Sequence, residues 1–506
     1  MLIKSQADEI QSFLGDSSHL SGGFAGRVVF PETVAEVAEV LGEASHTRTP
    51  VTVSGAGTGT VAGCVPFGGT VLATVKLNQI KNIARSDSGG RASAEAGVIL
   101  RDLQRAVEFE GLVYPPDPTE RGCFLGGNVA TNASGARTFK YGPTRNYVER
   151  LKIALATGEL IDLRRGELSA DAGGKIAIPL SSGRVIEAQL PSYRMPQVRK
   201  HASGYYVAPG MDVLDLFIGS EGTLGVVLEV EVRLLPKPEG ILSGVVFFAA
   251  ANELLAFVRE ARERSLSSRK SGRDGRGPSS SGLDARALEY FDRGSLGFLR
   301  QKYETIPEQA VGAVFFEQET TVTTEETLMG EWLSLIERRR ALSDDSWFAT
   351  NEQDHARLRE FRHALPVLMN EWFARHKQRK VSTDMAVPDE EFAGMLQFYE
   401  QTLSANSLRY TIFGHIGDNH VHVNILPRDD HEGARAREIY MQFLKRAVAV
   451  GGTLSAEHGI GKLKRDYLRL FYSDQHLREM AALKRAFDPA GILGRGNIFS
   501  ESLLSS

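Results

Sequence analysis

Three clusters of glycine in the first half of the chain constrain its fold more than any other feature. They lie at residues 54–63, 115–135 and 219–225. A glycine-rich loop lets several backbone N–H groups approach one anion without interference from Cβ atoms, which is what a pyrophosphate needs. A single loop of this kind is usually just a turn, but three in one half of a chain predict a pyrophosphate site.

The first cluster does not have the spacing of the nicotinamide-binding fingerprint. The predicted strand Val51–Val53 runs directly into it, and Gly55, Gly57 and Gly59 occupy every second position. The fingerprint G-x-G-x-x-G requires a different spacing and a helix immediately afterwards, and no clear helix pattern follows here. The sequence therefore disfavours a nicotinamide-dependent Rossmann dehydrogenase.

Hydrophobic periodicity divides the chain into segments. A β-α-β unit is predicted at 28–53, with a helix capped by Thr33 and Glu36, and strict alternation predicts a strand at 226–234. The segment Leu235–Gly240, with two prolines, breaks that strand. A length of 506 residues favours two or three domains, which we expect at 1–238, 239–465 and 466–506, the last largely helical. The polar run from Arg264 to Gly282 predicts a surface loop.

Composition excludes several classes of function. The chain has 59 Lys and Arg against 63 Asp and Glu, so it lacks the positive charge typical of nucleic-acid binding. Its two cysteines, Cys64 and Cys123, are too few for a disulfide framework or a four-cysteine iron–sulfur cluster, so any metal relay for electrons must lie on another protein. The lack of a signal segment and of a long apolar stretch predicts a cytoplasmic location.

Histidines concentrate in the second half. The segment 409–425 predicts a β-hairpin with a Gly-Asp-Asn turn, in which His415 ends the first strand and His422 lies on the second. Glu457 and His458 adjoin in a later glycine-flanked loop. Two imidazoles and one carboxylate form a three-ligand site that leaves positions open for substrate, which is typical of catalytic metals. Zinc is the expected ion, and manganese and iron accept the same ligands.

Together these motifs resemble those of a known family. The segments 54–58, 116–118, 126–132, Tyr141-Gly142 and 219–225 are similar to the FAD-contacting loops of the vanillyl-alcohol-oxidase and p-cresol-methylhydroxylase superfamily. The similarity is greatest to its FAD-linked D-2-hydroxyacid dehydrogenases, which act on D-lactate, glycolate or D-2-hydroxyglutarate, and it covers nearly the whole chain. It implies an α+β fold: a two-subdomain FAD-binding domain, an α+β, ferredoxin-like substrate domain and C-terminal helices.

The resemblance assigns the glycine loops to FAD. The first loop would hold the pyrophosphate, residues 116–142 would line the flavin and its ribityl chain, and 219–227 would contact the part near the adenine. No histidine lies between Val51 and Asn146, which predicts non-covalent FAD, and Cys64 is expected to be a packed residue. The expected cofactor-binding residues are Ser54, Gly55, Ala56, Gly57, Thr58, Gly59, Thr60, Pro116, Asp117, Pro118, Gly126, Gly127, Asn128, Thr131, Asn132, Ser134, Gly135, Tyr141, Gly142, Glu221, Gly222, Gly225 and Val226.

The resemblance also assigns roles in the second half. It implies that His415, His422 and Glu457 ligate the metal and that His458 faces the substrate, where it would accept the proton of the 2-hydroxyl. Arg362 matches a substrate-binding arginine of the family, and Lys380 is a second candidate cation. The chain departs from the family at His420, where many relatives carry Asn, so that His420 is either a supporting group or an alternative ligand. It departs again at Asn497, where a Lys is usual.

The implied reaction is oxidation of a small D-2-hydroxy acid to the 2-keto acid, with hydride transfer to flavin. The electrons would pass to a separate acceptor: a quinone, a cytochrome, an electron-transfer flavoprotein or an iron–sulfur subunit. A homodimer and a peripheral location at the inner membrane are compatible with this function. Three alternatives remain open: an FAD-dependent sugar or alcohol oxidase, a non-catalytic flavoprotein subunit of a larger oxidase, and a metallohydrolase with structural glycine loops.

Overall fold

The computed structural model of the protein describes residues 1–273 and 282–504. The strands are β1 (Leu2–Lys4), β2 (Arg27–Phe30), β3 (Val51–Ser54), β4 (Thr70–Ala73), β5 (Ile80–Ser86), β6 (Gly89–Glu95), β7 (Leu112–Val113), β8 (Val148–Ala154), β9 (Leu160–Arg164), β10 (Lys175–Pro179), β11 (Val185–Gln189), β12 (Val226–Pro236), β13 (Gly240–Phe248), β14 (Ala285–Asp292), β15 (Gly312–Thr320), β16 (Trp347–Phe348), β17 (Val381–Ser382), β18 (Tyr410–Gly414) and β19 (His422–Ile425). The helices are α1 (Ala7–Ile10), α2 (Val34–Thr47), α3 (Leu100–Phe109), α4 (Leu125–Thr131), α5 (Thr138–Tyr141), α6 (Leu214–Phe217), α7 (Ala251–Arg273), α8 (Arg293–Leu299), α9 (Glu325–Arg338), α10 (Glu352–His376), α11 (Phe392–Ala405), α12 (Asp430–Ala449) and α13 (Asp474–Phe487).

The first half of the chain forms two main sheets. One has the order β1-β2-β4-β3, in which β4 pairs in parallel with both β2 and β3. The other is antiparallel, with the order β5-β6-β12-β8-β9 and β7 beside β12. The alternation predicted for 226–234 is confirmed, because apolar side chains of β12 are buried at every second position. The predicted cap of α2 is also confirmed: Thr33 Oγ1 accepts from the N–H of Glu36 at 3.2 Å.

The second half is organised around one antiparallel sheet of seven strands, in the order β16-β13-β15-β14-β18-β19-β17. The predicted break at 235–240 is shorter than expected: β12 of the preceding sheet continues to Pro236 and β13 of this one begins at Gly240, so only residues 237–239 separate them. The predicted α+β class is confirmed, and so is the hairpin at 409–425, in which β18 and β19 pair. Among residues 1–273 and 282–504, no helix combines the length and apolar character needed to cross a membrane.

The prediction of a surface loop from Arg264 to Gly282 is wrong for its first ten residues, because α7 continues to Arg273. Polar side chains there are satisfied by tertiary contacts that composition does not reveal. Ser265 is fully buried and accepts from the N–H of Ala285 at 2.9 Å. Arg269 Nε pairs with Asp284 Oδ1 at 2.6 Å. The rest of the predicted loop, 274–281, lies outside the described residues.

The C-terminal segment returns to the first half of the chain. The backbone N–H of Val51 donates to the carbonyl of Ile492 at 2.8 Å. Lys484 is buried, and its ammonium contacts Asp488 Oδ2 at 2.7 Å and the carbonyl oxygens of Thr223 and Leu493 at 2.9 and 2.8 Å. One buried cation therefore ties α13 to the third glycine cluster, at 219–225.

We expect Lys484→Met to destabilise the protein by about 3–5 kcal/mol, because Asp488 would remain buried without its partner. Chemical denaturation followed by tryptophan fluorescence measures the change. Lys445→Met, at an exposed position of α12, is the matched control and should change stability by less than about 0.5 kcal/mol. Equal losses in both variants would contradict the assigned role of Lys484.

Candidate active site

The hairpin brings two histidines to the same carboxylate oxygen. Nε2 of His415 and Nε2 of His422 each lie 3.3 Å from Oε1 of Glu457. Ligand atoms held at about 2.0–2.1 Å around one tetrahedral ion are separated from each other by roughly 3.3–3.4 Å. The structure thus brings the three predicted metal ligands together at a spacing suited to one divalent ion.

The other ring nitrogen of each histidine has an acceptor. His415 Nδ1 lies 2.7 Å from Oε1 of Glu289, and His422 Nδ1 lies 3.1 Å from the carbonyl oxygen of Thr383. A histidine that donates from Nδ1 keeps its Nε2 lone pair for a metal, and such partners fix the ring orientation. Burial opposes the charged form of His415, but Glu289 and Glu457 raise its pKa to about 9, so that a metal ion would bind Nε2 in place of a proton. Both rings are therefore oriented towards a common point.

Glu457 uses its two oxygens for different purposes. Oε2 accepts from Nζ of Lys200 at 3.0 Å and from Oγ of Ser134 at 3.1 Å. Lys200 is fully buried and also donates to the carbonyl oxygen of Gly135 at 3.0 Å. Oε1 is left to face the histidines. Residues from the first half of the chain therefore orient the carboxylate, while the second half supplies the imidazoles.

A buried carboxylate that follows β17, Asp384, organises the loop that carries Glu457. Asp384 accepts from Nζ of Lys464 at 2.7 Å and from Oγ of Ser455 at 2.6 Å. It also accepts from the backbone N–H groups of Glu457 and His458, and Nδ1 of His458 lies 3.3 Å from Oδ2. Burial opposes ionisation, but His458 and Lys464 hold the pKa of Asp384 well below its usual range. The ring of His458 is thereby fixed with Nε2 3.9 Å from Glu457 Oε1.

His420 lies beside the same carboxylate. Its ring is fully buried, with Nε2 3.1 Å from Oδ1 of Asp384, and burial lowers its pKa to about 3. One nitrogen of His420 is also within 4.8 Å of ligand atoms of His415, His422 and Glu457. Its position is therefore compatible both with support of Asp384 and with a fourth ligand position.

The two candidate cations occupy different environments. Arg362, on α10, is half-buried and donates from Nε to Oε2 of Glu289 at 3.2 Å, which connects it through Glu289 to His415. Despite burial, His415 and Arg362 lower the pKa of Glu289 to about 2. The two Nη nitrogens of Arg362 form no hydrogen bond with any residue that the structure describes. Lys380 precedes β17 and is exposed.

Several glycines of the predicted FAD loops border open space. A Cβ at Gly57 or Gly59 would meet no protein atom closer than 3.9 Å, and one at Gly127 would meet none within 4 Å. Gly57 also has φ of +69°, which favours glycine. Next to Gly127, the side-chain Nδ2 of Asn128 is buried and has no hydrogen-bond partner among the residues that the structure describes. An open glycine cradle with an unsatisfied amide donor fits a phosphate-bearing cofactor such as FAD.

Other predicted FAD glycines are required by packing within the protein. A Cβ on Gly126 would lie 2.6 Å from that of Ala96, and one on Gly225 would lie 2.5 Å from a methyl group of Ile153. A Cβ on Gly135 would collide with the carbonyl oxygen of Asp117, and one on Gly142 with the side chain of Asn146. Close approach of the protein's own atoms is sufficient to explain glycine at these four positions.

Polar residues predicted to bind FAD also have partners inside the protein. The half-buried Glu221 accepts from the N–H groups of Ile460 and Gly461 at 2.7 and 2.6 Å, and desolvation of its carboxylate raises its pKa to about 6. Asp117 forms ion pairs with Arg121 and Arg137. Three others form hydrogen bonds: Asn132 Oδ1 accepts from the N–H of Arg145, Thr131 Oγ1 donates to the carbonyl of Gly127, and the hydroxyl of Tyr141 donates to Glu319. Ser54, Pro116 and Val226 are buried, Pro118 and Gly222 are half-buried, and Ala56, Thr58 and Thr60 lie in the accessible loop after β3. Glu221 thus joins the third glycine cluster to the loop of His458.

Sequence reasoning missed four residues of this site: Lys200, Glu289, Asp384 and Lys464. Glu289 is a charged residue within β14, whose eight residues are all buried, and a carboxylate in such a strand is the one signal that could have revealed it. Lys200, Asp384 and Lys464 belong to no recognisable spacing. Asn497, where the family usually has Lys, accepts from Nζ of Lys462 at 2.8 Å and donates to the carbonyl oxygen of Gly63 at 3.1 Å.

The chain is similar to several known proteins along most of its length. Residues 25–164 match the family model described as FAD binding domain, and residues 278–498 match the one described as FAD linked oxidases, C-terminal domain. The chain is 30% identical to the glycolate oxidase subunit GlcD of Bacillus subtilis, over 94% of this chain and 89% of that protein. It is 29% identical to a D-lactate dehydrogenase of Anaerostipes hadrus, over 97% and 93%, and 25% identical to a D-2-hydroxyglutarate dehydrogenase of Stutzerimonas stutzeri, over 98% and 96%.

A solved structure shares the fold. Alkyldihydroxyacetonephosphate synthase superimposes with a TM-score of 0.66 at 14% identity, over 97% of this chain and 81% of that chain. The agreement extends through both halves, so the sheets of the first half and the seven-stranded sheet of the second occur together in a known architecture.

The adjacent Gly126 and Gly127 provide a test of the cradle. We expect Gly127→Ala to leave stability unchanged or raise it by up to about 1 kcal/mol, because the position is helical and open. FAD affinity, measured by quenching of flavin fluorescence, should fall at least tenfold as the methyl group enters the cradle. Gly126→Ala should instead destabilise the protein by about 1–3 kcal/mol through contact with Ala96. Unchanged FAD affinity in the folded Gly127→Ala variant would contradict the assignment.

Proposed function

Because the chain belongs to the family of FAD-linked D-2-hydroxyacid dehydrogenases, we propose that it oxidises a small D-2-hydroxy acid, such as D-lactate or glycolate, with the help of a divalent metal. The chain is an FAD-linked oxidoreductase of 2-hydroxy acids, as its relatives and its FAD-binding domain indicate. The metal, the preference for the D-configuration and the residue roles below are specific to the proposal.

The observation that supports metal assistance most strongly is the 3.3 Å spacing of His415 and His422 from one oxygen of Glu457. Zinc suits this set, and manganese and iron accept the same ligands. A divalent ion bound there would supply Lewis acidity towards the substrate hydroxyl. Lys200 and Ser134 hold the second oxygen of Glu457, so the first remains oriented for the ion.

His458 is the proposed acceptor of the hydroxyl proton. Its Nδ1 lies 3.3 Å from Asp384, which leaves Nε2 directed towards the ligand set. A general base must lie within hydrogen-bond reach of the proton that it abstracts, and a 2-hydroxyl near Glu457 Oε1 would satisfy this condition. Arg362 would bind the substrate carboxylate through its two Nη nitrogens while Nε remains on Glu289.

FAD would be held without a covalent bond by the open loop 54–60 and by Asn128. When bound, FAD supplies the acceptor for the hydride that leaves C2 of the substrate. A separate acceptor must then reoxidise the flavin: a quinone, a cytochrome, an electron-transfer flavoprotein or an iron–sulfur subunit. The relative GlcD is itself named as a subunit, which supports action within an assembly, here proposed to be cytoplasmic or at the periphery of the inner membrane.

Anaerobic mixing of the purified flavoprotein with paired D- and L-hydroxy acids tests the reaction. We expect D-lactate or glycolate to abolish the absorbance of oxidised flavin, and L-lactate to leave it. His458→Ala should slow flavin reduction by about 10²–10⁴-fold. His431→Ala, at an exposed position of α12, is the control and should react at the wild-type rate. Rapid reduction of the His458→Ala flavin would exclude His458 as the base.

The metal is tested by removing the acceptor behind His415. Glu289→Gln should lower metal affinity by about 10–100-fold, because the charge that orients the imidazole is lost. Competition with a chromophoric chelator measures this affinity, and flavin content should remain unchanged. Glu371→Gln, at an exposed position of α10, is the matched control and should leave metal affinity unchanged. If the Glu289→Gln protein binds metal as tightly as wild type, the ligand set is different from the one proposed.

A further inference from the structure

A cavity of about 630 Å³ lies between the two halves of the molecule. Its walls come from residues 132–146 and 195–206, from Arg233 of β12 and from residues 266–270 of α7. The volume is in the range of small-molecule sites. None of His415, His422, Glu457 and His458 lines this cavity, so it is separate from the proposed metal site, although Asn132, Tyr141 and Gly142 of the predicted FAD loops form part of its wall.

The lining has one sign of charge. It contains Lys140, Arg145, Arg199, Arg233, Arg269 and Lys270, and none of its residues is Asp or Glu. In a chain with 63 acidic and 59 basic side chains, composition does not account for such a surface. A concave wall of like charges within a protein raises the local concentration of anions.

Half of these cations are already neutralised. Lys140 pairs with Asp284 and Glu319 at 2.9 and 2.8 Å, and Arg145 and Arg269 also have carboxylate partners. In contrast, Arg199, Arg233 and Lys270 form no ion pair within the part of the chain that the structure describes. Three cations at one cavity therefore have no directly paired carboxylate among the described residues, and Asp418 and Asp389 act on Arg199 only from a greater distance.

Aromatic rings help to hold the guanidinium groups around the cavity. The ring of Phe139 lies 4.4 Å from the guanidinium carbon of Arg269 and 5.7 Å from that of Arg199. The guanidinium carbon of Arg145 lies 4.0 Å from the centre of the Tyr206 ring. Arg145 and Arg269 also have carboxylate partners, so of these three arginines only Arg199 has the aromatic contact without an ion pair among the described residues. Burial lowers the pKa of Arg199; Asp418 opposes this shift and Arg262 adds to it.

A short segment without regular secondary structure separates the cavity from the candidate active site. Arg199 and His201 line the cavity, whereas Lys200 between them reaches Glu457. Nε2 of His201 is buried and has no hydrogen-bond partner among the described residues, while its Nδ1 contacts Thr453. Because protein atoms enclose Nε2 of His201, it is the unpaired cations and not this ring that indicate a ligand.

We propose that this cavity binds a small organic anion with two or three negative charges, a polycarboxylate or a phosphate ester, at a site separate from the one that binds the 2-hydroxy acid. A ligand of that charge balances Arg199, Arg233 and Lys270, whereas a monocarboxylate does not. The inference goes beyond the proposed oxidation and does not depend on it.

Isothermal titration calorimetry of the flavin-loaded protein tests the site. The probes are tricarballylate, a tricarboxylate without a 2-hydroxyl, and pyrophosphate, with acetate as the monovalent control. We expect one equivalent of at least one probe to bind, and the tighter probe distinguishes carboxylate from phosphate chemistry. Arg199→Ala with Lys270→Ala should weaken binding at least tenfold, since charge-assisted contacts are lost. Arg478→Ala with Lys445→Ala removes the same charges from exposed helical positions and should leave binding unchanged.

Two further measurements exclude other origins of the heat. Both probes can chelate metals, so the titration is repeated with Glu457→Gln, where unchanged affinity is expected. Loss of binding in that variant would show that the probe binds at the metal site and not in the cavity, which would overturn the proposal. Binding to flavin-free protein alone would assign the cavity to FAD and overturn it equally. No binding of either probe, or equal affinity in the Arg199→Ala, Lys270→Ala variant and wild type, would also overturn it.

Discussion

The candidate site depends on the way in which Glu457 divides its two oxygens. Lys200 and Ser134, from the first half of the chain, hold Oε2, and two imidazoles of the second half face Oε1. A carboxylate free to rotate would place neither oxygen reliably. The buried Lys200 removes that freedom, and it does so only when both halves are folded against each other. The site is therefore a property of the interface between the halves.

Two further carboxylates, those of the buried Asp384 and the half-buried Glu221, stabilise the loop that carries Glu457 and His458. Asp384 accepts hydrogen bonds from two backbone N–H groups of the loop and from Lys464, and Glu221 accepts two more from Ile460 and Gly461. Buried charges are tolerated when hydrogen bonds and opposite charges compensate them. The 455–464 loop is thus fixed from both sides although it lacks regular secondary structure, and the proposed base is held in place by backbone contacts.

Glycine serves two purposes in the first half of the chain, and the structure separates them. At Gly57, Gly59 and Gly127 a side chain would extend into open space, where a cofactor can approach the backbone. At Gly126, Gly135, Gly142 and Gly225 a side chain would meet the protein itself. Both groups occur within the same motifs. A glycine motif that resembles a cofactor-binding family therefore includes positions that are needed to build the loop as well as positions that face the ligand.

The sequence by itself determined the elements whose patterns are local. The alternation of β12, the cap of α2 and the hairpin that contains His415 and His422 depend on residues a few positions apart, so periodicity and turn residues were sufficient to predict them. The α+β class and the family followed from ordered motifs along the chain. Only the tertiary structure decided which distant charges meet: Glu289 lies 126 residues from His415, and Lys200 lies 257 residues from Glu457. The helical course of 264–273 and the basic cavity also depend on partners that are remote in sequence. An ion pair between distant residues leaves no periodic trace, because its energy depends on burial and distance, which arise only when the two halves of the chain pack together.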